Sequence, residues 1–219
     1  MPDFSQYQGV GATSQRVRSA LVDSLSEKGL EDNQVKSVMK ATPRHFFVDE
    51  AMKSHAYHNA SLPIGFSQTI SQPQVVALMT QAIIKGEHNS VLEIGTGCGY
   101  QTAILAQIFD KVWTVERIKG LYDKSKERLM ELKFDNIEFY YGDGFQTPYE
   151  DGFFDAILLT AAPEHIPKTL FKKLKNGGRL IAPIGNKTQI LTEFIVDGDN
   201  IIEEKLGEVS FVPLLGGAI

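Results

Sequence analysis

Gly95, Gly97 and Gly99 stand at alternate positions directly after the apolar run Val91-Leu92-Glu93-Ile94, and the helical pattern Thr102-Ala103-Ile104-Leu105-Ala106 follows them. An apolar run, a glycine turn and a helix in that order read as a buried strand turning tightly into a helix, whose free N-terminal amides face whatever binds there. Glycine permits positive φ and lets a ligand reach the main chain with no Cβ in the way. The G-x-G-x-G spacing differs from the G-x-G-x-x-G that suits a dinucleotide pyrophosphate. A second strand, Lys111 to Val115, ends in Glu116, an acid placed where a ribose diol would lie. Together they fit a nucleoside ligand; taken alone, the glycine turn has the plain alternative of packing a helix closely on a sheet.

Three further places could do chemistry. Ile137 to Tyr141 reads as a strand ending in Gly142-Asp143-Gly144, where an acid between glycines could accept from an exocyclic amine beside a flat ring, or could simply make an Asp-Gly turn. The strand Phe154 to Thr160 runs into Ala161-Ala162-Pro163, small residues that suit the floor of a site at a strand's carboxyl end. Ser71 opens a helix, and Ser71-Gln72-Pro73-Gln74 fits a capping box, so its hydroxyl either caps that helix or faces a ligand. The five histidines, His45, His55, His58, His88 and His165, show no metal-ligand spacing beyond a weak His55-x-x-His58. There is no G-x-S-x-G elbow, no Walker lysine and no evident acid–base pair. This narrows the reaction: if the ligand is a sulfonium methyl donor and the acceptor an ionised carboxylate, no general base is needed, and alignment in a partly desolvated pocket can supply most of the catalysis.

The elements that must position these residues follow from periodicity. From Ser14, the positions Val17, Ala20, Leu21 and Leu25 form a helical stripe that stops at Gly29. A second helix, capped by Asp32, buries Val35, Val38 and Met39 and ends before Pro43. Arg44-His45-Phe46-Phe47-Val48 is an aromatic anchor, and Ala56 to Pro73 reads as an extended loop beside the cofactor turn. A helix then carries Val75, Val76, Leu78, Met79, Ala82 and Ile83. Lys119 to Lys133 is a helix with Leu121, Tyr122, Ser125, Leu129 and Leu132 on one face; Pro167 to Lys175 is another, its lysines solvated. Arg179 to Pro183 is a fifth strand, and Ile190–Val196 with Ile201–Val209 form an antiparallel pair across Asp197-Gly198-Asp199-Asn200. The expected fold is α/β, a doubly wound and mostly parallel sheet with an N-terminal helical extension and C-terminal antiparallel strands. It reads as one domain over 1–219, with the extension at 1–60, an active-site loop and helix at 61–89, and the cofactor-binding core at 90–219.

Composition excludes several classes. A formal net charge of −5 disfavours nucleic acid, and no apolar run approaches the roughly 20 residues that span a bilayer. The polar Met1 to Gly11 stretch shows no signal peptide. Cys98 is the only cysteine, which rules out an internal disulfide and suits a reducing cytoplasm; its plainest role is to fill a small site in the turn.

The chain resembles the protein-L-isoaspartate O-methyltransferase family, S-adenosylmethionine-dependent repair enzymes of Rossmann-like class I methyltransferase fold, from about Arg16 to Leu214. The resemblance rests on Thr42-Pro43-Arg44-His45-Phe46-Phe47-Val48, Ile64-Gly65-Phe66-Ser67-Gln68-Thr69-Ile70-Ser71-Gln72-Pro73, Val91 to Tyr100, Gly142-Asp143-Gly144 and Phe211-Val212-Pro213-Leu214. It implies Ser71 as the active-site hydroxyl and Thr69, Ile70, Gly95, Thr96, Gly97, Glu116, Arg117, Asp143 and Gly144 as cofactor-side residues. Phe66, Ser71, Thr160, Val212 and Pro213 would meet the substrate, with no metal. The implied reaction methylates the α-carboxylate of L-isoaspartyl residues in damaged proteins and peptides, initiating repair through a succinimide, by a monomer with no nucleic-acid or membrane partner. Ser67 and Cys98 depart from the family pattern, which commonly has glycine and serine there. Another methyltransferase on the same fold, a silent isoaspartyl-binding module and, least of all, a nicotinamide dehydrogenase are the competing readings.

Overall fold

The computed structural model describes residues 2–219. Seven strands form one sheet in the order β5-β4-β3-β6-β7-β8-β9: β3 (Ser90–Ile94), β4 (Lys111–Glu116), β5 (Ile137–Tyr141), β6 (Phe154–Leu159), β7 (Leu174–Ile184), β8 (Gln189–Asp197) and β9 (Asn200–Val209). The pairs from β5 to β7 are parallel, and β8 and β9 add on antiparallel, as the sequence pattern predicts. The order reverses between β3 and β6, which opens a crevice at their carboxyl ends where ligands of such sheets bind.

Every residue of β3 and of β6 is buried, because helices cover both sheet faces. Side chains alternate between two cores: Val91, Val112, Ala156 and Leu158 point to one, and Leu92, Trp113, Ile157 and Leu159 to the other. The first core takes in residues of α1 (Gln15–Ser24), α2 (Asn33–Ala41), α3 (Pro73–Ile83), α4 (Tyr100–Leu105) and α5 (Lys119–Glu131). The second packs α6 (Lys168–Lys173) through Leu170, together with an aromatic cluster in which Trp113 meets Phe153 and Phe154 edge-on.

The helical extension differs from its expected stripe. Arg18 and Val22 are the buried residues of α1, whereas Val17 is 37% exposed. Arg18 is tolerated inside because its guanidinium donates to Lys40 O at 2.7 Å and to the Tyr57 hydroxyl at 3.2 Å, so its polar atoms stay paired. The second helix behaves as read: the Asp32 carboxylate accepts from Val35 N at 2.9 Å, and Val35, Val38 and Met39 are buried. The helix expected over Pro167 to Lys175 is shorter, because the chain enters β7 already at Leu174.

The segment expected as an extended loop contains a hairpin of β1 (Leu62–Gly65) and β2 (Gln68–Ile70). Its two central residues, Phe66 and Ser67, have φ of +53° and +56°. Two-residue hairpin loops favour positive φ at both positions, since that twist matches the strands, but ordinarily through Asn and Gly. A side chain at each position opposes the left-handed conformation, and the missing Asn-Gly signal is what hides the hairpin in the sequence. Replacing Ser67 with glycine should therefore raise stability by about 0.5–1 kcal/mol, relieved strain outweighing the entropy glycine loses on folding. Equilibrium denaturation checks it, and an unchanged or lowered midpoint would show that the turn relaxes its strain elsewhere.

Candidate active site

A cavity opens at the carboxyl ends of β3 and β6. Its floor is the glycine turn, held in place from outside. The amides of Gly95 and Thr96 both donate to Val115 O, at 2.8 and 3.2 Å. Gly95 has φ +104°, and a Cβ there would lie 2.2 Å from Thr160 Oγ1. That hydroxyl donates to Ile94 O at 3.0 Å and contacts Gly95 O, so Thr160 braces the turn while it lines the cavity. At the neighbouring strand end, a Cβ on Gly144 would meet Ile94 Cγ2 at 2.3 Å. The two glycines thus bring the ends of three strands close enough to leave a cradle of main chain.

Glu116, 5% exposed, closes the turn from β4. One carboxylate oxygen accepts from Gly97 N at 2.8 Å and the other from Ile118 N at 2.9 Å. Each oxygen keeps a free lone pair, so the group can still accept from a vicinal diol. Behind the turn lies an acid that sequence reading passed over. Glu93 is fully buried in β3; its Oε2 accepts from Thr102 and Thr114, and the Thr114 hydroxyl pairs with Thr96 Oγ1 at 2.6 Å. Burial pushes its carboxyl up to about 8, against the two hydroxyl donors, with the Glu116 charge adding to the rise. Its signal was visible as a lone acid inside an apolar strand.

The hairpin supplies another wall. Thr69, Ile70 and Ser71 all line the cavity, opposite Gly95, Thr96 and Gly97. The expected capping box is absent: α3 begins at Pro73, its N-cap is Gln72, and no side chain of that residue caps it. Among the described residues the Ser71 hydroxyl has no protein partner within hydrogen-bond reach, while Asn59 Oδ1 takes the amide of Gln74 at 3.0 Å. Val212 and Pro213 line the cavity from a strand-like stretch beside β6, where Ala162 N donates to Val212 O and Leu214 N to Ala162 O.

Two expected residues lie outside the lining. The Phe66 ring, 51% exposed, covers Gly120 at the start of α5, where a Cβ would meet its Cζ at 2.3 Å. The Asp143 carboxylate accepts from Phe145 N and Gly217 N, each at 2.8 Å, and so holds the C-terminal tail. Arg117 lines the cavity, yet its guanidinium donates to Gly217 O at 2.8 Å and Gly216 O at 3.2 Å. The tail runs alongside: Ile219 N donates to Arg117 O and Lys119 N to Ile219 O. Leu214, the last residue of the Phe211-Val212-Pro213-Leu214 run, joins the lining with Leu215 and with Gln101 from α4, and the latter two carried no local signal. Burial pushes the Cys98 thiol up, away from the thiolate a nucleophile needs. Among the described residues no cluster of three or more His, Cys, Asp or Glu could hold a metal ion, and no histidine or lysine lines the cavity.

Residues 15–218 match the family described as Protein-L-isoaspartate(D-aspartate) O-methyltransferase. The chain belongs to this family. A protein-L-isoaspartate O-methyltransferase of Saccharophagus degradans is 50% identical over 220 residues, covering 98% of each chain. One of Marinobacter nauticus is 46% identical over 215 residues, covering 98% of this chain and 99% of its own. Among solved structures, a Plasmodium falciparum chain described as a protein-L-isoaspartate O-methyltransferase, in complex with S-adenosyl-L-homocysteine, superposes with a TM-score of 0.80 at 28% identity. That match covers 90% of this chain and 98% of the other. The α/β fold with its mostly parallel sheet is therefore that of the S-adenosylmethionine-dependent methyltransferases, as expected from the sequence.

The buried acid makes a pH prediction for this methyltransferase. A carboxyl raised from 4.5 to about 8 keeps its proton in the folded chain where the unfolded chain has lost it. Its contribution is therefore full below the unfolded value and is lost as pH rises through 8. Glu93→Gln accepts the same two hydroxyls through its carbonyl and cannot ionise. Its melting temperature relative to wild type should rise between pH 5 and pH 9 in thermal unfolding; an offset that stays constant would mean that Glu93 is ionised throughout.

Proposed function

We propose that the protein transfers a methyl group from S-adenosyl-L-methionine to the α-carboxylate of L-isoaspartyl residues in damaged proteins and peptides, and so initiates their repair through a succinimide. The observation that carries this reading is the Ser71 hydroxyl, unpaired among the described residues and lining one cavity with the glycine turn. Membership of the family supports the donor and the acceptor class.

The residues fit the donor. Gly95, Thr96 and Gly97 offer close main-chain approach for its methionine part, Glu116 keeps acceptor capacity for ribose hydroxyls, and Gly144, which lines the same cavity packed against Ile94, presents bare main chain to a flat base. Asp143 retains one lone pair on each oxygen for the exocyclic amine even while it holds Gly217. When bound, the donor supplies an electrophilic sulfonium methyl. Ser71, on the wall formed by Thr69 and Ile70, donates to the substrate carboxylate and aims its free oxygen at that methyl. Val212 and Pro213 contact the peptide flanking it, with Thr160 beneath, and Phe66 stands at the exposed rim. No residue needs to take a proton, because the acceptor is already an anion, and the apolar lining from Ile64, Ile70 and Leu214 excludes water that would solvate the charges. Methylation turns a poor leaving group into a good one; the neighbouring amide nitrogen then closes the succinimide in solution.

The proposal includes the 1–219 single-domain reading, a monomer, and a cytoplasmic setting, for which the single buried cysteine suits a reducing compartment. The acidic balance of −5 disfavours nucleic acid as substrate, and among the described residues no helix is long and apolar enough to cross a membrane.

Labelled methyl transfer from S-adenosylmethionine to matched isoaspartyl and aspartyl peptides tests the reading. Base-labile label on the isoaspartyl peptide alone is expected; label on neither, with donor binding intact, would leave a silent binding module. Ser71→Ala should lower turnover by about 10²-fold, the scale of a lost positioning contact, while calorimetric affinity for S-adenosylhomocysteine stays within about twofold. Lost cofactor affinity with turnover otherwise intact would move Ser71 to the cofactor's side of the site.

A further inference from the structure

Asn59 lies before the hairpin, outside the cavity lining, and all its side-chain and carbonyl contacts converge on the residues that follow Ser71. Its Oδ1 accepts from Gln74 N at 3.0 Å, its Nδ2 donates to Gln74 Oε1 at 3.3 Å, and its main-chain oxygen accepts from Gln72 Nε2 at 3.0 Å. Pro73 has no amide proton, so Gln74 N is the first orphan donor of α3, and Asn59 satisfies it from elsewhere in the chain. Asn59 is itself bracketed by a buried arginine. Arg44, 1% exposed, donates from Nε to Ala56 O at 2.9 Å and from Nη2 to Ala60 O at 3.2 Å, and lies over the Tyr100 ring at 5.2 Å.

We propose that Asn59 is a positioning residue for methyl transfer, capping α3 in place of Ser71 and thereby keeping the Ser71 hydroxyl in the cavity. The competition is local. Ser71 precedes Gln74 by three residues, the spacing at which a serine hydroxyl accepts the N3 amide of a helix it caps. With Asn59 on that amide, the helix begins two residues after Ser71, and the hydroxyl is left for the substrate. Without Asn59, Ser71 stands at the sequence spacing from which a serine hydroxyl accepts that amide, and engaging it would draw the hydroxyl away from the cavity.

The inference rests on methyl transfer to isoaspartate, and the experiment separates the two. Full-length wild type, Asn59→Ala, Ser71→Ala and the double variant are compared in a methyl-transfer assay on an isoaspartyl peptide, with calorimetry on S-adenosylhomocysteine. Asn59→Ala should lower kcat by about tenfold, a sub-ångström to 1 Å misplacement, with cofactor affinity within about twofold. Asn59→Asp, which still accepts from Gln74 N, should restore most of it. In the Ser71→Ala background, Asn59→Ala should cost nothing further, since the hydroxyl it protects is gone. Where Asn59→Ala fails to fold, Gln74→Pro tests the same competition from the helix side: it removes the amide that would capture Ser71, so kcat should stay within about twofold of wild type, and a tenfold loss there would overturn the proposal. Independent, multiplying losses would overturn the proposal, as would a kcat loss that tracks cofactor affinity. An inactive wild type on both isoaspartyl and aspartyl peptides would instead overturn the methyl-transfer reading, and this role with it.

Discussion

The site depends on a main-chain turn that has no conformational freedom left. Gly95 cannot carry a Cβ against Thr160, its amide and that of Thr96 are fixed on Val115 O, and Gly97 N is held by Glu116. These anchors come from the two strands that flank β3, Val115 and Glu116 from β4 and Thr160 from the end of β6, so the turn is rigid only once the parallel sheet is assembled around it. Orphan amides at a helix start make a generic attraction for a polar ligand; fixing them from both neighbouring strands turns that attraction into a shape. The hydroxyl chain from Thr96 through Thr114 to Glu93 adds a further anchor from beneath, reaching into a layer where water cannot compete.

Parts of this were legible in the sequence because their signals are local. The glycine turn, the acid at the end of β4, the small residues after β6 and the closing antiparallel pair each occupy a few consecutive positions. What was hidden depends on distant partners. The Asn59 cap spans 15 residues, and nothing near Ser71 announces that its capping role is already filled. The stripe expected on α1 missed Arg18, because a hydrophobic pattern cannot see a guanidinium that is buried through bonds to Lys40 and Tyr57. The hairpin was missed because Phe66 and Ser67 occupy conformations usually given to Asn and Gly. The strain there sits where the wall carrying Thr69 to Ser71 meets the rest of the chain, a placement that strained turns often share with functional sites.

The C-terminal tail is the clearest case of a residue's type being right and its partner unforeseen. Arg117 and Asp143 sit at the ends of β4 and β5, where the resemblance implies cofactor contacts; Arg117 donates to Gly216 and Gly217, and Asp143 accepts from Gly217. These contacts span 74 to 100 residues of chain. They do not disqualify either residue from meeting a ligand. Asp143 accepts only one amide per oxygen, which leaves its remaining lone pairs for another donor, and the main chain of Arg117 is shaped by the same Glu116 carboxylate that faces the cavity.

The economy of charge in the cavity follows from the reaction rather than from chance placement. Its lining holds one carboxylate, Glu116, already committed to two amides, and one guanidinium, Arg117, already committed to two carbonyls. Neither is left as a loose charge that could pair with an incoming carboxylate and hold it off the methyl group. A charge partner strong enough to bind the acceptor firmly would also lower its nucleophilicity, and because the carboxylate's charge is being cancelled in the transition state, such a partner would stabilise the ground state more and cost rate. A single neutral hydroxyl orients without neutralising. On the proposed mechanism, the placement of Ser71, and the cap that relieves it of work in the helix, therefore matters more to this site than any titratable group within it.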